Sequence, residues 1–427
     1  MLIRRKSFLA LGAVSAAATL AACGGKSSGS AGSSSAASDA GGSTAAASGA
    51  PKRADADLVI WADEKKAGAL QDAAKAWGEK NGMTVAVQSV ANELQTSFVT
   101  ANQAGNGPDI VMGAHDWIGN LVQNSAITPV QLPGDAKDKL APIGLKAMMF
   151  NGQTYGVPYA VETLVLFANK KLTDMPKPAS IEELVKAGKA KGAQLALSLP
   201  VGQKGDAYHM EPLYTSAGGY LFGKKSDGSY DPSDLGVGKE GSIAAAEKMS
   251  QLGKEGVLKT SVTGDNAISL FTGGKAAYLI SGPWALADIK KAKIDFELSP
   301  IPGFQGMKPA VPFAGVNGFY IASKGKNVVN AKQFIKDVAS SSDIAKQMFP
   351  KNELPPVALD LQKSLASANP EMVTIAQLAE KAEPMPAIPA MANVWEPLGQ
   401  ADANIIGGAD PKSTMESAGK QIASKIK

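Results

Sequence analysis

The alternation of element types that begins at Leu58 constrains this fold more than any other feature. The run Asp57-Leu58-Val59-Ile60-Trp61 is short and apolar and reads as a buried strand. Residues 66–80 then place Leu70, Ala73, Ala74 and Trp77 at helical spacing and stop at Asn81-Gly82. Residues 84–87 read as a strand, 93–104 as a helix closed by Gly105-Asn106-Gly107-Pro108, and Asp109-Ile110-Val111-Met112 as the next strand. Such a succession predicts a mostly parallel sheet with helices on its faces, so the fold class is α/β. Similar elements follow: strands at 164–167, 193–199 and 276–280, helices at 181–189, 242–252 and 266–273, and a turn at Gly282-Pro283 that opens a helix. Beyond Asn330 the chain is mainly helical, with amphipathic stretches at 331–339, 357–366, 372–382 and 415–426.

The first residues bear on compartment. Arg4, Arg5 and Lys6 precede an apolar stretch, 8–18, too short to span a bilayer. Leu20-Ala21-Ala22-Cys23 follows and resembles the bacterial lipobox, where the chain is cut before a cysteine that carries the lipid (palmitate among its acyl chains). Cys23 is the only cysteine in the sequence, which suits an anchor and excludes an intramolecular disulfide. Arg4-Arg5 with Phe8-Leu9 also resembles a twin-arginine signal, at a spacing one residue too long, so the export route stays open. The expected organisation is therefore a signal peptide at 1–22 and a Gly/Ser/Ala tether at 23–55, too poor in apolar residues to fold. About 370 residues remain, ample for two domains, and none of their stretches is apolar for the 18 or so residues a spanning helix needs. A formal net charge of +4 gives no basis for nucleic-acid binding.

Catalytic patterns are scarce. Two histidines, His115 and His209, form no cluster with other metal ligands at the right spacing, so neither a metal nor a cofactor is expected. No G-x-S-x-G elbow stands in the folded part. Gly236-Val237-Gly238-Lys239-Glu240-Gly241 spells a dinucleotide fingerprint, but a polar, turn-rich stretch precedes it where a strand is required, so it reads as a surface turn leading into a helix. Recognition chemistry is better represented. A sugar pocket needs flat aromatic walls for C–H faces, with acids, amides and bases at their edges for hydroxyls. Trp61, Trp117, Trp284 and Trp395 stand beside turns or at element ends, whereas Trp77 lies on a helix face as a core residue. His115-Asp116, Glu162, Asp206 with Tyr208, and Trp395-Glu396 would supply the edges if they converged.

These motifs stand in a familiar order. From about Leu58 to the C-terminus the chain resembles the maltose/maltodextrin-binding proteins, within the extracellular solute-binding proteins of ABC importers. The resemblance is carried by Leu58-Val59-Ile60-Trp61, by Gly107-Pro108-Asp109-Ile110 with Ala114-His115-Asp116, and by Pro158-Tyr159-Ala160-Val161-Glu162 continuing to Asn169-Lys170. Ser281-Gly282-Pro283-Trp284-Ala285 and Met385-Pro386-Ala387-Ile388-Pro389 with Trp395 complete it. It implies a periplasmic-binding-protein fold: an N-terminal lobe of 56–160 and 318–369, a C-terminal lobe of 161–317 and 370–427, a hinge, and a ligand cleft between them.

The same resemblance implies a monomeric, extracytoplasmic lipoprotein without enzymatic activity, held to the cell membrane through Cys23. It would capture maltose or maltodextrins and deliver them to membrane permease subunits. Asp116 and Glu162 would accept sugar hydroxyls, and Trp284, Trp395 and Tyr208 would stack on sugar rings. Asp206 stands where the family places a glutamate, and Glu64 or Lys65 replaces its acid–lysine pair. Trp61, Trp117 and Glu396 complete the expected ligand set. Departures bear on specificity: Trp117 stands for an arginine, Gly113 for a tryptophan, Glu396 for a tyrosine and Gly399 for an arginine. Longer or cyclic α-glucans, trehalose or sucrose therefore stay open as ligands. A secreted glycosidase is the rival class, with no matched motif.

Overall fold

The computed structural model describes residues 51–226 and 228–426. The expected signal segment, Cys23 and the tether up to residue 50 lie outside them. In the first half of the fold, β1 (Leu58–Ala62) runs parallel to β2 (Val85–Ser89) on one side and to β3 (Ile110–Ala114) on the other. Every residue of β1 is fully buried, which is why this central strand reads as a continuous apolar run without alternation. The helix Glu64–Asn81 follows, capped by Asp63, whose side chain accepts the Lys66 N–H, and ended by Gly82 at φ 67°.

The chain changes sheets abruptly. β4 (Gly156–Thr163) ends the first passage, and after the single residue Leu164, β5 (Val165–Asn169) begins a second sheet. There β6 (Leu195–Ser198) lies parallel to β7 (Ala276–Ser281), while β8 (Phe296–Ser299) and β7 flank β5 antiparallel. β9 (Phe313–Ile321) returns to the first sheet, antiparallel to both β3 and β4, and β10 (Glu383–Pro384) pairs with its first residues. Phe313 packs in the core of the second half and Ala314 in that of the first, so the change of core falls at 313/314. A boundary at 317/318 would cut β9 in the middle of its ladder. The helix Pro370–Ala379 also straddles the junction, with Met372 and Ile375 packed on one side and Ala376 and Ala379 on the other. Thr163 Oγ1 donates to the Phe313 carbonyl at 2.9 Å, tying the two crossovers together where they leave the second half.

Two sequence expectations need correction. Residues 230–235, read as a turn-rich stretch, form a strand that pairs antiparallel with Phe222–Lys224. The G-x-G-x-x-G run still lacks the parallel β-α-β setting a dinucleotide needs, because its strand belongs to a two-stranded hairpin. Its glycines serve close packing: a Cβ on Gly241 would stand 2.1 Å from the Gly218 carbonyl oxygen. The second correction concerns the tether, which was expected to reach residue 55. Arg53 donates to Asp109 Oδ2 at 2.8 Å and to the Gly107 carbonyl at 3.1 Å, with side chains only 8% and 0% exposed. Asp109 also receives the N–H groups of Val59 and Asn327, so the folded body begins by Arg53.

Candidate functional site

The polar floor of the first half is built at the end of β3 and in β4. After β3 the turn His115–Trp117 places the His115 ring in the interior, with Asp116 next to it. The Val316 N–H donates to His115 Nδ1 at 3.1 Å, so Nε2 carries the proton and donates to the Met385 carbonyl at 3.1 Å. Burial lowers the His115 pKa, in keeping with the neutral ring these partners require. One side chain thus joins the β3 loop, the β9 crossover and the segment after β10. Asp116 Oδ1 is sealed from solvent with no partner among the described residues, and burial raises its pKa against the opposing pull of His115. A buried acceptor left open is costly unless something donates to it, which makes it a place for a hydroxyl.

Glu162 lies opposite Gly315 across the β4–β9 ladder, where a Cβ on residue 315 would come within 3.1 Å of its Cγ. Burial raises the Glu162 pKa; Lys66 first, then a hydrogen bond from Asn317, then Lys65 oppose it. Of the two lysines that act on it, Lys66, held by Asp63 at 2.5 Å, comes ahead of Lys65, which with Glu64 was expected in place of an acid–lysine pair. Glu64 and Lys65 are exposed on the first helical turn. Asp63 at the cap with a lysine three residues on was the sequence sign that pointed there. Nothing in the sequence singled out Asn317, which sits in β9.

From the second half, the helix Ala207–Ser216 supplies Tyr208. Its hydroxyl is raised well above the ordinary tyrosine range by burial first, then by the carboxylates of Glu162, Glu211, Asp206 and Asp116. Two of those carboxylates belong to the floor of the first half, so Tyr208 lies within electrostatic reach of Asp116 and Glu162 as well as of Asp206. Asp206 is the helix cap: Oδ1 accepts the His209 N–H at 3.0 Å and Oδ2 lies 2.8 Å from His209 Nδ1. His209 was not expected here. Its ring stands edge-on to Tyr208 at 5.4 Å and to Trp284 at 6.1 Å between centroids. Trp284 follows β7 in the turn Pro283–Ala285 and is 39% exposed, one of the few large apolar side chains left in the open. Its ring lies over Gly282, where a Cβ would stand 2.1 Å from Cζ3.

The remaining expected residues divide. Trp117 is half-buried against the first core, with its ring across Gly113; a Cβ there would be 2.4 Å from Cε3. Trp395 is half-buried at the start of the helix Trp395–Ile406, edge-on to Phe313 at 6.3 Å, and Glu396 beside it is exposed. Trp61 does not belong to the site: it is 0% exposed inside β1 and its indole N–H goes to Gln88 Oε1 at 3.1 Å, leaving no face for a ring to stack on. Among the described residues no three of His, Cys, Asp and Glu are grouped to hold a metal ion. A pocket of about 280 Å³ is lined by His115, Lys146, Tyr230 and Glu383 among others, and by none of the tryptophans.

Residues 72–374 match the bacterial extracellular solute-binding protein family. The galactooligosaccharide-binding protein of Bacillus subtilis is 30% identical over 87% of this chain and 90% of its own length. The maltooligosaccharide ABC transporter solute-binding lipoprotein of Streptococcus pneumoniae is 27% identical over 87% of this chain and 89% of its own. The crystal structure of a cyclo/maltodextrin-binding protein complexed with maltotetraose superposes with a TM-score of 0.77 at 29% identity, over 88% of this chain and 98% of that one. The fold is that of the periplasmic binding proteins. No helix among the described residues is long and apolar enough to cross a membrane. With the family model spanning most of the folded body, the chain belongs to the bacterial extracellular solute-binding proteins.

Proposed function

We propose that this protein is the lipid-anchored capture subunit of a carbohydrate ABC importer and that it takes malto-oligosaccharides between its two halves. The observation that supports the reading is that Tyr208 of the second half, in a row with His209 and Trp284, lies within electrostatic reach of Asp116 and Glu162 of the first. An uncharged ligand rich in hydroxyls suits this arrangement, since carboxylates accept from hydroxyls and the indole face covers C–H groups. Closure follows from thermodynamics: a sugar touching both halves favours the closed state, because only that state makes both sets of contacts. The loaded form would dock on permease subunits while the lipid on Cys23 keeps it at the membrane. Relatives that bind malto-oligosaccharides support the substrate class. A galacto-oligosaccharide is the second reading, favoured by the relative named for that ligand and by the altered residues at 113, 117, 396 and 399.

A thermal-shift panel on the chain without its signal segment tests both readings. A ligand that binds only the native state raises the melting temperature with the logarithm of its concentration over its Kd. Stabilisation by maltotriose or maltotetraose supports the first reading, and stabilisation by galacto-oligosaccharides alone supports the second. No response to any oligosaccharide would refute both. Replacing Trp284 or Trp395 by alanine is expected to weaken the responding sugar by about ten-fold, the loss of one stacked wall. Unchanged affinity in both variants would refute the assignment of the walls.

A further inference from the structure

We propose that His209 is a further sugar-binding residue, accepting a ligand hydroxyl on Nε2 beside Trp284, and that Asp206 acts through it as a positioning residue. The inference rests on the cleft being a sugar site and deepens that reading. Both Asp206 oxygens are directed at His209, one to its backbone N–H and one to Nδ1. A carboxylate only accepts, so Nδ1 carries the proton. In the neutral ring, that tautomer leaves the lone pair on Nε2. That nitrogen has no protein partner among the described residues and is not one of the polar atoms sealed without one. The side chain is 15% exposed, and the ring lies between the edges of Tyr208 and Trp284. Hydroxyls at the rim of a sugar stacked on Trp284 would meet an acceptor whose tautomer is already set, so no proton has to move on binding.

His115 provides an internal contrast. It is the only other histidine and holds the opposite tautomer, with Nδ1 accepting and Nε2 donating. The experiment is an imidazole ¹⁵N spectrum of the labelled protein titrated with maltotriose, the two rings being assigned from a His209→Gln sample. The expected result is a pyridine-type His209 Nε2 that moves upfield as maltotriose saturates. Calorimetry should show His209→Phe, which keeps an aromatic edge against Trp284, binding maltotriose about five-fold more weakly, the loss of one neutral hydrogen bond. His209→Gln, whose amide oxygen can accept, should recover most of that loss. Asp206→Asn keeps the helix cap but donates toward Nδ1, which would switch the tautomer in the spectrum and weaken binding by a similar factor. The double variant Asp206→Asn/His209→Phe should be no weaker than His209→Phe alone. Additive losses, or a His209 Nε2 unmoved while wild-type protein binds maltotriose, would overturn the inference and leave the sugar site standing. Failure of wild-type protein to bind any oligosaccharide would overturn both.

Discussion

Removing the Arg53 guanidinium should destabilise the protein by about 3 kcal/mol. Asp109, its partner, has a side chain 0% exposed, and that of Arg53 is 8% exposed, so this pair lies in the interior. Truncating one member of a buried pair typically costs about 3–5 kcal/mol, because the other charge is left uncompensated. The low end applies because Asp109 would keep the N–H groups of Val59 at 2.9 Å and Asn327 at 2.8 Å. About 370 folded residues at about 2.1 cal/mol/K each give an unfolding entropy near 0.8 kcal/mol/K, so Arg53→Ala should lower Tm by about 4 °C if the two halves unfold together. If the first half melts alone, its smaller entropy makes the shift at least twice as large. Calorimetry reads both the midpoint and the number of transitions. Arg53→Lys should fall between, since a lysine keeps the charge but cannot span Asp109 and the Gly107 carbonyl in the same planar fork. A Tm within about 1 °C of wild type for Arg53→Ala would refute the reasoning and return Arg53 to the tether, as an exposed pair of small worth.

Lys66→Ala should weaken sugar binding about five-fold and Lys65→Ala by less than about two-fold, because Lys66 is the leading cation at Glu162; equal losses by calorimetry would refute the ranking. Gly113→Ala should cost about 1–3 kcal/mol in urea unfolding, since the new methyl meets the Trp117 ring. His115 has a pKa lowered by burial, so as pH falls below about 6.5 the unfolded chain takes up a proton that the folded chain refuses. Stability relative to a His115→Gln variant should therefore fall as the pH drops below about 6.5, by up to about 1.4 kcal/mol per pH unit, and a pH-independent difference would refute it.

What the sequence revealed, and what it hid, follows from how each element is built. β1, β3 and the helix Glu64–Asn81 were legible because an unbroken apolar run, apolar residues at helical spacing and a closing glycine each have one common meaning. β9 was hidden because Gly315, Asn317 and Gly318 interrupt a strand pattern, yet the glycines admit Glu162 and Met148 from neighbouring elements. The helix Ala207–Ser216 was hidden by Pro212 in its interior. Trp61 misled because a tryptophan at a strand end resembles a wall until its burial is known. Lys66 was missed by one position, an offset that decides which face of a helix a side chain leaves. His209 could have been found from Asp206: an acid at a helix cap reaches the residue three places on, and that residue is a histidine.

The departures from the family pattern are better understood as exchanges than as losses. At Gly113 the missing side chain is replaced by the ring of Trp117, four residues later, which can lie there only because residue 113 has no Cβ. At Gly399 the loop carrying Asp206 descends instead. Gly205 adopts φ +78°, and a Cβ on it would stand 1.6 Å from the Gly399 carbonyl oxygen, so position 205 needs glycine, whereas a Cβ on Gly399 would meet the loop backbone at 3.3–3.5 Å. Gln400 fixes the same approach by donating to the Gln203 carbonyl at 3.2 Å. The contact brings the 202–206 loop down beside the start of the helix Ala207–Ser216, and thereby sets where Asp206, Tyr208 and His209 stand. A side chain at 399 would start against the backbone of this loop, 3.3 Å from the Gly205 carbonyl carbon and 3.4 Å from the Lys204 carbonyl oxygen. An aromatic at 113 and the Trp117 ring compete for the same space. On the proposed reading, a cleft between the halves would be organised around aromatic and carboxylate groups instead of guanidinium groups, and a ligand fitted to it would be selected by the faces and hydroxyl rims of its rings.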